Sequence, residues 1–217
     1  MKNIICIFSK PPIPGMTKSR LAKSIGKTAA AKLAAAMLND IIDQAMAVQN
    51  AKVIIAHPPE NNPTEFRDLK CSNIDFIVQR GLDLGERMSN VFTDMLIQQS
   101  LEKVIIVGSD CITVSSEKLQ TGFANLSKFP VIIEPAEDGG YVLAGQSVCC
   151  TEMFNNIAWG TKTVMEQTRK HLNKAKINFL ESPSSFDIDC HADLRRLANF
   201  LENNSRPNTK SFINDLF

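Results

Sequence analysis

The 217-residue sequence has no excess of either charge: Lys plus Arg number 24 against 23 Asp plus Glu, a net charge of +1. A general nucleic-acid-binding surface shows as a basic excess, so this balance excludes one and confines any anion site to a local cluster. No window approaches the ~18 apolar residues that a membrane-spanning helix needs, so no membrane partner is expected. The opening "MKNIICIFSKPP" has only about five apolar residues before Ser9 and Lys10, too few for the core of a signal peptide. The six cysteines, at 6, 71, 111, 149, 150 and 190, include no C-x-x-C pair. That argues against a zinc ribbon or a thioredoxin-type site, and the thiols read as reduced ones in a cytoplasmic protein.

Other chemistry is missing as well. The three histidines, 57, 171 and 191, are scattered, and no Ser-His-Asp or Cys-His order stands out. His57, ahead of two prolines, reads as structural or exposed, and His191 as exposed. There is no G-x-G-x-x-G. "PGMTKS" ends in Lys-Ser as a Walker A loop does, but Thr17 stands where the glycine before lysine must be, and the first glycine is absent.

What is present is an alternation of short Ile- and Val-rich runs with longer segments of helical period. The hydrophobic content of 44% and charged content of 22% are those of an ordinary globular chain. The length suits one domain, with 203–217 as a C-terminal appendage. Strands are expected at 3–8, 52–57, 74–78, 103–108, 130–135 and 176–181. Four of these are nearly continuous apolar stretches, as in a mainly parallel sheet covered on both faces. Helices are expected over 28–49, with Thr28 as N-cap and Ala34, Leu38, Ile41, Ile42, Ala45 and Met46 inward. Further helices are expected over 84–100, 116–127, about 162–174 and 190–202. Asp83 with Glu86 resembles a capping box. "ENNSRPNTK" (202–210) reads as a breaker that leaves 211–217 as a short appended piece. The expected fold class is therefore α/β: one three-layer α/β/α domain with a mostly parallel, doubly wound sheet.

Ligands of such sheets bind outside the carboxyl ends of the strands, so the loops after the strands carry the candidates. "FSKPPIPGMTKSR" (8–20) is a stiff connector ending in Lys18 and Arg20. Lysine is a point charge for phosphate, arginine a planar fork, and Gly15 lets the backbone approach an anion closely. In "VIIVGSDCITVS" (104–115), Asp110 is delivered to the sheet edge, where it caps a helix or holds a divalent cation; Ser115 or Ser116 could do the capping instead. "IEPAEDGGYVLAG" (133–145) reads as a hairpin turning at Asp138-Gly139-Gly140, with Asp138 beside glycine amides that a substrate can approach. In "SFDIDCHADL" (185–194), Asp187 and Asp189 are either metal partners for Asp110 or, for Asp189, an N-cap. In "QRGLDLGERM" (79–88), Gly81, Leu84 and Gly85 either form a plain β–α loop or make a wall for a nucleotide base. Tyr141 and Trp159 are pocket or core aromatics, and Cys111 and Cys190 read as packing.

Taken together, "KPPIPGMTKSRL", "LGERM", "GSDC", "EPAEDGGYVL", "IAWGTKTVMEQT" and "DIDCHADL" resemble, in order and over about residues 4–198, a bacterial family assigned to the glycosyltransferases. That family is similar to nucleotide-diphospho-sugar transferases of the GT-A fold, and to the nucleotidyltransferases that make phospholactate guanylyl conjugates or molybdenum cofactors. The resemblance implies a nucleotide held across the strand ends, with Lys18 and Arg20 on its phosphates. Lys10 and Pro14 of the same loop and Ser109 beside Asp110 count with the nucleotide contacts. It implies Mg²⁺ or Mn²⁺ on Asp110 with Asp187 or Asp189, and an acceptor facing Asp138, Gly139, Gly140, Tyr141 and Trp159. Lys18, Arg20, Asp110 and Asp138 are the implied catalytic set. The pattern departs at Ile112, where the family has proline, which leaves open how the Asp110 loop is placed. Three functions follow: glycosyl transfer from a nucleotide-diphospho-sugar to a small acceptor, nucleotidyl transfer from an NTP to a small phosphorylated acceptor, or a non-catalytic nucleotide-binding module. A homodimer is left open.

Overall fold

The apolar Ile and Val runs form strands that are buried on both faces, as their lack of alternation requires. The computed structural model describes residues 2–71 and 74–216; residues 1 and 217, the ends of the expected domain, lie outside the described residues. In chain order the elements are β1 (Asn3–Phe8), α1 (Ser19–Ile25), α2 (Lys27–Met46), β2 (Ala51–His57), β3 (Asp75–Val78), α3 (Leu84–Phe92) and β4 (Lys103–Gly108). There follow α4 (Ser116–Asn125), β5 (Val131–Pro135), β6 (Tyr141–Gln146), α5 (Val164–Lys174), β7 (Phe179–Glu181), α6 (His191–Asn203) and α7 (Pro207–Leu216).

The seven strands form one sheet in the order β3-β2-β1-β4-β6-β5-β7, parallel except for β6, which runs antiparallel to both neighbours. The chain lays down β2 and β3 on one side of β1 and then places β4 on the other. Strand order therefore reverses between β1 and β4, the position where doubly wound sheets open a crevice.

Side chains alternate along each strand, and both faces are covered. On one face Ile5, Ile7, Ile55 and Ile105 pack with Leu38, Ile41 and Ala45 of α2 and with Leu119 and Phe123 of α4. On the other, Ile4, Cys6, Ile54 and Ile106 meet Met88, Val91 and Phe92 of α3 and Met165 and Leu172 of α5. The expected three-layer α/β/α architecture is the one observed. A third cluster lies beside the sheet, where Leu21 of α1, Leu33 and Met37 of α2, Leu194, Leu197 and Leu201 of α6 and Ile213 of α7 converge on Ile112 and Ile188.

Several local expectations are corrected. Gly26, not Thr28, is the N-cap of α2, because the separate helix α1 precedes it; α1 has only seven residues, too few to show a period. Met46, expected inward, is 53% exposed at the last residue of α2. The 84–100 helix is α-helical only to Phe92 and continues as a wider π turn over Thr93–Gln98. Asp83 accepts the Glu86 N–H, but Glu86 returns its bond to Leu82 N rather than to Asp83, so the capping box is half formed. β7 is confined to Phe179–Glu181 at the sheet edge.

The C-terminal segment is no loose appendage. α7 begins inside the expected breaker, at Pro207, and docks on α2. Asp40 of α2, buried, accepts the Asn208 and Thr209 N–H groups at 3.1 and 2.8 Å and caps α7 from another helix.

Candidate functional site

The loops after β1, β4 and β7 and the β5–β6 turn converge at one edge of the sheet. After β1, Lys18 is the N-cap of α1 and adopts left-handed backbone geometry (φ 46°, ψ 48°), costly for a residue with a side chain. That conformation directs its ammonium inward, where the side chain is 1% exposed. Lys18 Nζ donates to Asp110 Oδ1 at 2.7 Å and to the Ile188 carbonyl at 2.5 Å. The pair crosses the point between β1 and β4 where strand order reverses, and it ties both loops to the strand-7 loop. Asp110 remains half exposed above it. Arg20, 76% exposed, donates from Nη1 to Asp189 Oδ2 at 2.7 Å.

The Asp110 loop is set by features other than the family proline. Gly108 ends β4, and Ile112 is buried completely in the third cluster. Arg206, 4% exposed, donates from Nε to the Ile112 carbonyl at 3.0 Å and from Nη2 to the Val114 carbonyl at 2.6 Å. The side chain that fills the proline position and the guanidinium from the C-terminal segment hold the loop together. Ser115 then caps α4, accepting from Lys118 N at 3.1 Å. Asp110 is thereby left free of the capping role.

Asp138 lies in the five-residue turn between β5 and β6 and accepts the Gly140 N–H at 2.9 Å. Gly139 has φ 97°, and a Cβ there would stand 2.5 Å from the Lys162 carbonyl oxygen. Only glycine lets this turn lie against the segment leading into α5, where Met165 N donates to the Gly139 carbonyl. Asp187, after β7, is half-buried. Burial, followed by the charges of Asp138, Asp110 and Asp189, pushes its carboxyl above the usual range. Asp189 is not the N-cap of α6; that position belongs to Cys190, and Asp193 Oδ2 accepts both the Asp189 and the Cys190 N–H.

A cavity of about 260 Å³ opens between these acids and a wall of apolar side chains. Asp110, Asp138 and Asp187 line it together with Phe8, Leu84, Met88, Ile106, Tyr141 and Trp159. Trp159 meets Tyr141 edge to face, with ring centroids 5.8 Å apart. Burial pushes the Tyr141 phenol up to about 12, and its hydroxyl is bonded to Thr168 Oγ1. The Trp159 indole rests directly on Gly85, where a Cβ would stand 2.5 Å from Nε1. Gly85 therefore serves the aromatic wall by lacking a side chain.

The structure brings together Lys18, Asp110, Asp138, Gly140, Tyr141, Trp159, Leu84 and Asp187, and pairs Arg20 with Asp189 next to them. Other candidates stand apart. Lys10 and Gly15 are exposed outside the cavity lining, Gly81 lies beneath α3, and Pro14 lines a separate groove against α2. Ser109 N donates to Phe8 O and extends the β1–β4 ladder. His57 is buried and bonded to the Pro58 carbonyl, and His191 is exposed. Cys111 is buried, with its thiol pushed up by burial, in line with packing. Sequence reasoning missed Arg206, which it placed in a breaker, and Met88 as cavity wall; no local signal marks the first.

The donor chemistry fits a hard divalent cation. The acids offer oxygen only, and Asp187 sits among like charges with no basic partner among the described residues. Also among the described residues, no three His, Cys, Asp or Glu side chains are arranged to hold an ion by themselves. Mg²⁺ is commonly held by one or two carboxylates together with substrate phosphates, and Asp110 and Asp187 are the residues that would supply the protein's share.

The family model described as "Uncharacterized protein conserved in bacteria (DUF2064)" matches residues 41–161, more than half of the chain, including Asp110, Asp138 and Trp159. The chain belongs to this family. No protein of curated function matches its sequence. Among solved structures, this DUF2064 chain is similar to a "putative nucleotide-diphospho-sugar transferase" from Desulfovibrio desulfuricans G20, with 28% identity over 99% of this chain and 98% of that one and a TM-score of 0.89. It shares its fold with CMP:2-keto-3-deoxy-manno-octonic acid synthetase complexed with CTP (11% identity, 93% and 99% coverage, TM-score 0.58). The same holds for Rv0371c of Mycobacterium tuberculosis H37Rv in complex with manganese (14% identity, 94% and 100% coverage, TM-score 0.54). The fold is thus that of the nucleotide-diphospho-sugar transferases, and no helix among the described residues is long and apolar enough to cross a membrane.

Proposed function

We propose that the protein is a metal-dependent glycosyltransferase that takes a nucleotide-diphospho-sugar donor and a small acceptor. The observation that carries this reading is the convergence of Lys18, Asp110, Asp138 and Asp187, from four separate loops, on a cavity where strand order reverses. An acid held above its ordinary range in a cleft, as Asp187 is, marks a functional-site candidate.

In this reading the donor diphosphate lies over the β1–β4 crevice. Lys18, too buried to leave its partners, orients Asp110 as a positioning residue. Arg20 is exposed and exchanges Asp189 for a phosphate oxygen, its fork matching the anion. A divalent cation held by Asp110 and Asp187 would neutralise charge on the leaving diphosphate. The acceptor enters from the Trp159 side. Its heteroatom bonds to the anomeric carbon, the bond from that carbon to the phosphate oxygen breaks, and the electron pair leaves with the nucleoside diphosphate. The acceptor proton passes to Asp138.

A second reading, nucleotidyl transfer, draws on the fold shared with the CTP-bound synthetase. There a phosphorylated acceptor attacks the α-phosphate and pyrophosphate leaves. Incubation with a panel of NTPs and nucleotide-sugars, read by product release, separates the two: nucleoside diphosphate from a nucleotide-sugar supports the first, pyrophosphate from an NTP the second. Release of neither sinks both.

A further inference from the structure

Cations are scarce where an anionic acceptor would need them. Among the described residues, no Lys, Arg or His lines the cavity that holds Asp138 and Trp159. Lys18, bonded to the cavity acid Asp110, has its side chain 1% exposed and two acceptors already, while Arg20 faces Asp189. Three carboxylates do line the cavity, and Asp187 is half-buried. Apart from Thr161, the other large side chains of the wall are apolar or aromatic, Phe8, Leu84, Met88, Ile106, Tyr141 and Trp159 among them. A phosphate monoester carries about −1.5 to −2 charges at neutral pH. Placed here it would lose water, meet Asp138 (and, with no cation bound, Asp110 and Asp187) and find no protein cation, an unpaired burial that is costly. An apolar or aromatic body loses nothing by the same transfer and gains contact with the two rings. A cationic group would gain from Asp138 and from the ring faces.

We infer that the acceptor is a small uncharged or cationic molecule with an apolar or aromatic body, seated against Trp159 and presenting one hydroxyl or amine to Asp138. The inference rests on the proposed transfer reaction for the word acceptor, and on the cavity alone for its chemistry. The cavity, about 260 Å³, stands at the small end of ligand pockets, so the body is of the order of a single ring with a short arm. Phosphorylated and carboxylated acceptors are selected against, which sets this site apart from one built for nucleotidyl transfer to a phosphate.

Trp159 is the sole tryptophan of the sequence, so its emission reports directly on occupancy without any turnover. The test titrates the full chain with benzyl alcohol, benzylamine and benzyl phosphate, exciting at the red edge of the indole band. Expected is half-maximal change in Trp159 emission for the alcohol and the amine at concentrations at least tenfold below that for the phosphate. Leu84→Arg, at a position 46% exposed and so tolerant of a long side chain, places a cation at the mouth and should narrow or reverse that ratio. Benzyl phosphate binding as well as the alcohol to the unaltered chain overturns the inference; so does silence with all three probes. A parallel thermal-shift titration with nucleotide-sugars keeps the two claims distinct. If nucleotides bind while the phosphate ester is preferred, only the acceptor inference falls. If the alcohol and amine are preferred but no nucleotide binds, the transferase reading falls and the pocket chemistry stands.

Discussion

Removing Arg206 should loosen the Asp110 loop although it touches no candidate ligand position. Its guanidinium is buried, with Nε and Nη2 on the Ile112 and Val114 carbonyls at 3.0 and 2.6 Å and Nη1 on the Ser205 carbonyl at 2.8 Å. Hydrogen bonds from a charged group are worth about 1.5–3 kcal/mol each, so the two that reach the loop represent about 3–6 kcal/mol gross. Against this stands the burial of a charge, which lowers the Arg206 pKa from its ordinary value. The net loss for Arg206→Ala is therefore about 2–4 kcal/mol, a large share of the ~5–15 kcal/mol that holds a domain together. Urea unfolding should show it as a lower midpoint at unchanged slope. Arg206→Met, which keeps an apolar stem but loses the guanidinium over Phe200 and leaves both carbonyls unpaired, should recover only part of the loss. Because the loop carries Asp110, both variants should also weaken metal-dependent nucleotide stabilisation. A loss below about 0.5 kcal/mol for Arg206→Ala, the scale of an inert surface change, would refute the bracing role.

Two further outcomes follow from the same geometry. Gly85→Ala should cost stability, because overpacking against the indole costs about 1–3 kcal/mol and outweighs the ~1 kcal/mol gain in helix propensity; a red shift of Trp159 emission would report the displaced ring, and a more stable variant with unchanged emission would contradict it. Asp187→Asn should melt higher than the natural chain at neutral pH. The Asp187 carboxyl is held above its ordinary pKa, so the natural chain loses stability as pH rises from the ordinary carboxylate range through that raised value, and asparagine does not. The advantage should vanish in acid, while nucleotide stabilisation in the presence of Mg²⁺ falls at neutral pH; thermal melts across pH read both.

The buried strands and the amphipathic helices were legible because unbroken Ile and Val runs and a 3.6-residue period are local patterns. The hairpin at Asp138-Gly139-Gly140 was legible for the same reason: turn chemistry is local. What escaped was long-range. Nothing near residue 18 says that its ammonium will meet Asp110 and the Ile188 carbonyl, 92 and 170 residues on. Nothing near Arg206 names Ile112, and nothing near Asp40 says that it will cap a helix 168 residues away. The departure from proline at Ile112 was visible as a gap, but the compensation for it, burial in the third cluster plus the Arg206 bonds, exists only in three dimensions. Gly85 read either as part of a plain β–α loop or as wall for a nucleotide base; that its missing side chain seats Trp159 is visible only in the fold.

In the proposed function Asp110, held by Lys18 and joined by Asp187, binds a nucleotide through a divalent cation at the β1–β4 crevice. The direct measurement is a thermal shift of the chain and of Asp110→Ala with nucleotide-diphospho-sugars, each with Mg²⁺, Mn²⁺ or EDTA. Ligand at a hundred times its Kd stabilises by about 2.7 kcal/mol, which for a domain of this size is roughly 5–10 °C. Such a shift is expected for at least one nucleotide-diphospho-sugar with metal, lost in EDTA and lost in Asp110→Ala. A shift that survives both, or none with any nucleotide-sugar, would contradict it.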